Sequence, residues 1–320
     1  MKSYERFRLN IALDDDMHGP SVVAVAFVAN VLVAIAKTAA AVLTGSSSMR
    51  TEAVHSWVDV GNEGFVVAAT RSARKPADFT HAMGHGRASY VWSLFASLGT
   101  LAAGALVGVW EGVRQLSEPD VQGHYVIGYV VLGVSFVLEG ASFLQTLRQV
   151  RKQADELDRD VFEHAMATSD SPIRAVFAED FTALIGLAAA ALGMLLHQLT
   201  GRAVFDAAGS IAIGALMAVT ALFLISRNAR FLGGESLAPQ QWSQLLAVIR
   251  ADPHVARVTF LYTEFIGPGR CLVIAGIGIS GERNQPELAA ILRDIERSLM
   301  RRPHIGLAIM TLATAEDRDL

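Results

Sequence analysis

Two scarcities set the frame for this chain. Of its 320 residues only 18% are charged, against about 25% in an average soluble domain, a deficit that points to lipid as part of the solvent. A single cysteine, Cys271, excludes a disulfide framework within the chain and any cysteine-rich metal cluster. The formal net charge is −4, so the basic footprint of a nucleic-acid-binding protein is missing. No internal repeat or low-complexity tract is visible. The stretch from Met1 to Pro20 lacks the apolar core and small-residue cleavage site of a signal peptide, so the first apolar block is expected to be kept as a span.

What the chain has instead is apolar residues, 52% of the total, with a mean hydropathy of +0.37. They are gathered into long blocks up to about Ile225. A helix crossing a bilayer needs about 20 mostly apolar residues, and six segments meet or approach that. They run from Val22 to Leu43, Met49 to Thr70, Ser89 to Val113, Tyr125 to Leu147, Pro172 to Leu199 and Phe205 to Ile225. The second is markedly more polar than the rest. With the N-terminus inside, the basic residues of 2–8, 71–87, 148–159 and 227–230 fall on the inner side, leaving Arg50, Arg114 and Arg202 outside. That asymmetry places both termini in the cytoplasm.

After Arg230 the pattern is that of a soluble domain. Gln240 to Arg250 and Glu287 to Leu299 have helical apolar spacing, while Val255 to Phe265, Cys271 to Ile279 and Ile305 to Leu312 read as strands. Gly267-Pro268-Gly269 supplies a turn. The expected organisation is an N-terminal tail at 1–20, an α-helical membrane domain at 21–230 built as a six-transmembrane-helix bundle, and a small α+β domain at 231–320 of order α-β-β-α-β.

Ionisable groups inside spanning helices cost about 2.5–3.5 kcal/mol each on insertion scales and are functional candidates by default. In the second segment His55 and Asp59 lie four apart, on one helical face, with Asn62 a turn further on. An imidazole nitrogen and a carboxylate oxygen so placed form half a site for a borderline ion such as Zn²⁺. Glu179 and Asp180 open the apolar run of the fifth segment and would supply the other half. Adjacent residues point about 100° apart on a helix, and the two half-sites differ in depth by about 5 Å, so side-chain reach or tilt must bring them together. The competing reading is a hydrogen-bond network that only fixes helix packing. Asn30, Lys37, Glu63 and Glu139 read as packing or charge-neutralising groups, and Glu52 is expected near the outer mouth, in water.

The loop between the second and third segments carries Asp78, His81 and His85 at i, i+3, i+7. This spacing suits either convergence on one ion or a solvated loop.

At these motifs the chain resembles the cation diffusion facilitator family of metal–proton antiporters, zinc transporters among them. His55-Ser56-x-x-Asp59-x-x-Asn62 is similar to the family's second-helix signature, and Pro76-Ala77-Asp78…His81-x-x-Gly84-His85-Gly86-Arg87 to the loop that follows it. The resemblance implies six spans, cytoplasmic termini, a ferredoxin-like C-terminal domain, a Y- or V-shaped homodimer and a transport site shared by the second and fifth helices. It further implies an accessory metal site at Asp78, His81 and His85. Two departures stand out. Val176 occupies the place of a histidine that many zinc-carrying members have before Asp180, so Glu179 is the expected replacement ligand and Mn²⁺, Fe²⁺, Co²⁺ or Cd²⁺ suit the site as well. The C-terminal domain offers only His254 and His304, so no zinc cluster is expected there.

The function expected is export of a divalent metal ion from the cytoplasm in exchange for protons, across a bacterial inner membrane, with no tightly bound cofactor. Rival readings are a metal-sensing or scaffolding membrane protein, a channel, and an intramembrane metalloenzyme; the last would want a run such as His-Glu-x-x-His, which the sequence lacks.

Overall fold

A computed structural model describes residues 20–117, 125–156, 160–314 and 316–320. The tail at 1–20, Pro20 apart, lies outside the described residues, as do Lys2, Arg6, Arg8 and Arg159 of the charge asymmetry. The described residues divide into two compact units, one grouping 20–71 with Ser89–Ala229 and the other grouping Ser72–Ala88 with 230–320.

The first unit is helical. Its elements are α1 (Pro20–Thr44), α2 (Ser47–Ala73), α3 (Ala88–Gly99), a π-helical turn (Thr100–Ala105), α4 (Leu106–Gln115), α5 (Tyr125–Glu156), the short α6 (Val161–Ala167), α7 (Ser171–Thr200) and α8 (Val204–Leu232). Among the described residues five stretches are long and apolar enough to cross a membrane: Phe27–Thr44, Ala88–Gln115, Tyr125–Asp155, Ser171–Thr200 and Val204–Leu232. The six segments read from the sequence all form helices, but α2, at 27 residues, carries too many polar side chains to count with the five.

Burial explains where that polarity goes. Ser47, Ser48, Thr51, Glu52, His55 and Asn62 of α2 are buried, whereas Phe136, Val137, Leu199 and Val219 on other helices are exposed. A water-soluble protein does the reverse with charged and large apolar groups. Small residues let the helices close up: a Cβ at Gly108 of α4 would lie 2.9 Å from the Cα of Gly214 on α8, so the two backbones touch. The start of α2 is clamped by the fully buried Asp206 of α8, whose carboxylate accepts from Ser46 Oγ at 2.8 Å and Ser47 N at 2.7 Å. An acid at orphan N–H groups and the positive end of the dipole is stabilising. Helix α7 starts at the Asp170 N-cap with a proline in its first turn and stops at Gly201, which takes the left-handed φ of 65°.

The second unit contains α9 (Pro239–Arg250), β1 (Val255–Gly267), β2 (Arg270–Ile279), α10 (Gln285–Met300) and β3 (Ile305–Leu312), the order read from the sequence. The strands lie in the order β1-β2-β3; β1 pairs antiparallel with β2, and β2 parallel with β3, a pairing that needs the α10 crossover. Leu245 and Ile249 of α9 and Ile295 and Leu299 of α10 close over Val273, Ala275 and Ile277. Cys271 is buried in this sheet, and burial pushes its thiol up to about 11, which makes it a small apolar filler.

Residues 72–88 pack into this same unit. A Cβ at Gly86 would sit 3.0 Å from the Cα of Gly267 at the end of β1, a spacing only glycine permits. The neighbouring Arg87 guanidinium pairs with Glu264 of β1, whose other oxygen accepts from Tyr262 Oη at 2.7 Å.

Candidate metal centre

In the helical unit the site starts from the α2 face. Residues 52, 55, 59 and 62 fall at i, i+3, i+7 and i+10, one continuous stripe. His55 Nε2 lies 3.6 Å from Asp59 Oδ1, and His55 is 2% exposed with its Nδ1 buried and without a hydrogen-bond partner. A turn further on, Asn62 Nδ2 donates to Glu179 Oε1 of α7 at 2.9 Å and to Thr100 Oγ1 at 3.1 Å. Thr100 opens the π-helical turn, a distortion found often at functional sites.

Helix α7 divides its two acids. Glu179 reaches towards α2, while Asp180 accepts from Ser142 Oγ of α5 at 2.8 Å. Asp180 nonetheless lies within the field of Asp59 and His55, and Glu179 within that of Asp59 and Asp180. The four expected donors therefore face one region of the bundle, contributed by two helices that are more than a hundred residues apart in sequence. They are not drawn onto a single point: among the described residues, the group whose ligand atoms lie within 4.8 Å of one another is Asp78, His81 and His85. Asn62 and Ser142 each hold one of the α7 acids.

The other polar groups also have partners. Lys37 Nζ of α1 bonds Glu52 Oε2 at 3.0 Å and Glu139 Oε1 of α5 at 2.9 Å, and Asn30 bonds Glu63. The expectation of a solvated Glu52 fails here. It is 0% exposed, because its position on the inward stripe and the Lys37 ammonium draw it into the bundle.

In the loop the trio converges. Asp78 Oδ1 accepts from Thr80 N at 2.8 Å, Thr80 Oγ1 at 2.7 Å and His81 N at 2.8 Å. Those bonds, the Thr80 hydroxyl foremost, hold the Asp78 carboxyl down at about 2, well below the ordinary carboxylate range. The His81 and His85 rings stack at 3.9 Å between centroids. His85 Nδ1 lies 3.2 Å from the Pro76 carbonyl; donation there leaves Nε2 unprotonated in the neutral ring, and Nε2 faces Asp78 Oδ2 at 3.6 Å. The stretch is exposed, as the solvated-loop reading expects, yet its donors share one point.

Sequence reasoning missed Ser142, Thr100 and Asp206. Hydroxyls in apolar helices are common, and nothing in the spacing marks these two as partners of Asp180 and Asn62. Asp206 sits at a helix start, where acids are unremarkable.

A seam of buried imidazole and amide beside half-buried carboxylates, inside helices with apolar outer surfaces, is the build of a membrane protein. The model of the cation efflux transmembrane domain matches residues 23–232. The chain is 31% identical over 281 residues to Metal tolerance protein C4 of Arabidopsis thaliana, 88% of this chain and 60% of that protein. It is 30% identical over 264 residues to the mitochondrial proton-coupled zinc antiporter SLC30A9 of Homo sapiens, 82% of this chain and 46% of that protein. The chain thus belongs to the cation efflux, or cation diffusion facilitator, family. It spans about half the length of the curated relatives it matches.

Proposed function

We propose that the protein exports divalent metal ions, Zn²⁺ foremost, from the cytoplasm in exchange for protons. In this reading α2 is the sixth span of a bundle with both termini inside, the C-terminal unit is ferredoxin-like, and two copies work as a homodimer in a bacterial plasma membrane. The ion binds His55, Asp59 and Asp180, with Glu179 or water completing its shell. The observation that carries the proposal is the Asn62–Glu179 hydrogen bond, which ties the ligand face of α2 to the acids of α7. A zinc antiporter and a metal tolerance protein among the relatives support the choice of cargo. Mn²⁺, Fe²⁺, Co²⁺ and Cd²⁺ are cargoes of the same class, since Val176 leaves the site with one histidine and several carboxylates.

Transport proceeds by alternating access. Ligation needs neutral imidazole and ionised carboxylate, so protons and metal compete for the same atoms. Asp78, His81 and His85 form an accessory metal site. The test is a metal-panel uptake assay in vesicles, comparing the native chain with Asp59→Ala and Asp180→Ala. Loss of uptake in both variants is the expected result, and unchanged uptake in both rejects the site. Flux that ignores an imposed pH gradient rejects proton exchange.

A further inference from the structure

Beside the proposed transport site stands an ion network with one group too many. A buried lysine needs one carboxylate to balance its charge, yet Lys37, 1% exposed, bonds two, Glu52 at 0% and Glu139 at 18%. Each acid also keeps one oxygen, Glu52 Oε1 and Glu139 Oε2, buried without a hydrogen-bond partner. Such a trio is a poor stabiliser, because desolvation offsets most of the Coulomb gain and a packed apolar cluster does as well or better. Room has nevertheless been made for it: a Cβ at Gly186 of α7 would come 2.7 Å from Glu52 Oε1.

The positions of the two acids give the network its meaning. Glu52 lies three residues before His55 on the ligand stripe of α2. Glu139 lies three residues before Ser142 on α5, the residue that holds Asp180 at 2.8 Å. Asp59 and Asp180 both lie in the field of Glu139. A single ammonium on α1 therefore ties the backbone of α2, which carries His55 and Asp59, to that of α5, which carries Ser142, the partner of Asp180. Its positive charge stands on a helix that carries none of them.

We propose that Lys37 is a positioning residue for metal transport. Its bridge from Glu52 to Glu139 sets the spacing of α2 and α5, and so of His55 and Asp59 against the Ser142-held Asp180. It also keeps the fixed positive charge off the ligand stripe. This rests on the transport reading above. A network that only packed helices would tolerate any rearrangement conserving its charge and volume; a positioning network does not.

The experiment uses the full chain in liposomes, with Zn²⁺ uptake followed by an internal fluorescent indicator and KM separated from kcat. Lys37→Arg, which keeps the charge and both bonds, is expected within about twofold of the native KM. The exchange Lys37→Glu with Glu52→Lys keeps composition and net charge but moves the ammonium onto the ligand stripe, one turn from His55, where it repels the incoming cation. Its KM is expected to rise about tenfold. The neutral triple variant Lys37→Met, Glu52→Gln, Glu139→Gln carries no unpaired buried charge, so it is readable if the exchange fails to fold, and the same rise is expected. Native KM in either folded variant overturns the proposal. Asp59→Asn separates the two layers. Native uptake by Asp59→Asn rejects the transport site itself, whereas its loss together with native KM in the exchange rejects only the role of Lys37.

Discussion

Asn62→Ala reports directly on whether Glu179 serves the metal. The Asn62 side chain is 5% exposed, and its amide donates to Glu179 Oε1 at 2.9 Å and Thr100 Oγ1 at 3.1 Å. A hydrogen bond to a charged group contributes about 1.5–3 kcal/mol net. One amide nitrogen serving two acceptors belongs at the low end, so the loss should be about 1.5 kcal/mol, or roughly tenfold in Kd. Asn62 cannot be a strong ligand itself, so the loss must act through Glu179, whose orientation it maintains. The assay is Zn²⁺ binding to purified protein by competition with a chelating dye, for Asn62→Ala, Glu179→Gln and the double variant. If Glu179 is a ligand aimed by Asn62, the double variant binds about as weakly as Glu179→Gln alone, with a coupling of about 1 kcal/mol or more. Additivity within about 0.5 kcal/mol, the margin found for independent sites, refutes the reasoning.

Three further outcomes follow from the geometry. Asp206→Ala strips the Ser46–Ser48 segment of a buried acceptor and should cost about 2–4 kcal/mol of stability, seen as a lower melting temperature with Zn²⁺ affinity unchanged. Gly86→Ala sets a methyl against the backbone of Gly267 and should cost about 1–3 kcal/mol, speeding amide exchange across residues 75–87. In a carboxyl titration by NMR, Asp78 should show a midpoint near 2, not near its ordinary 3.8. Because the folded value is the lower one, the stabilisation this turn supplies is present above about pH 4 and fades as pH falls towards 2.

Five of the six apolar segments were legible as candidate spans because blocks of bilayer length have no other economical reading, and the α-β-β-α-β order because strand and helix periods alternate cleanly after Arg230. The polar stripe of α2 was legible too: His55, Asp59 and Asn62 stand at helical spacing in a place where polar groups are costly. What the sequence withheld is long-range pairing. Glu52 reads as a solvated acid near a helix end until Lys37, fifteen residues away, is known to face it. Glu179 and Asp180 read as diverging neighbours, and they do diverge; only the positions of Asn62 and Ser142 show that both directions lead to the same region. The loop trio was ambiguous on its own because spacing in an irregular segment does not fix direction. Its convergence depends on the Asp78 turn and the Pro76 carbonyl.

The polarity of α2 carries one more consequence, for how the bundle is assembled. Glu52, Asp59 and Glu63 alone would add about 8–10 kcal/mol to its insertion at about 2.5–3.5 kcal/mol each, more than its few apolar residues return. In the folded unit α1 relieves much of that cost through Lys37 to Glu52, Asn30 to Glu63, and Thr38, which accepts from Trp57 Nε1 at 3.1 Å. All three partners lie on the helix made just before α2, so the two should enter the membrane as a hairpin. In a glycosylation-reporter insertion assay, α2 alone should fail to span, α1–α2 should span, and Lys37→Ala in the hairpin should lower the spanning fraction. Full insertion of α2 alone would show that its polar face is tolerated by lipid unaided, and the need for paired partners would then be lost.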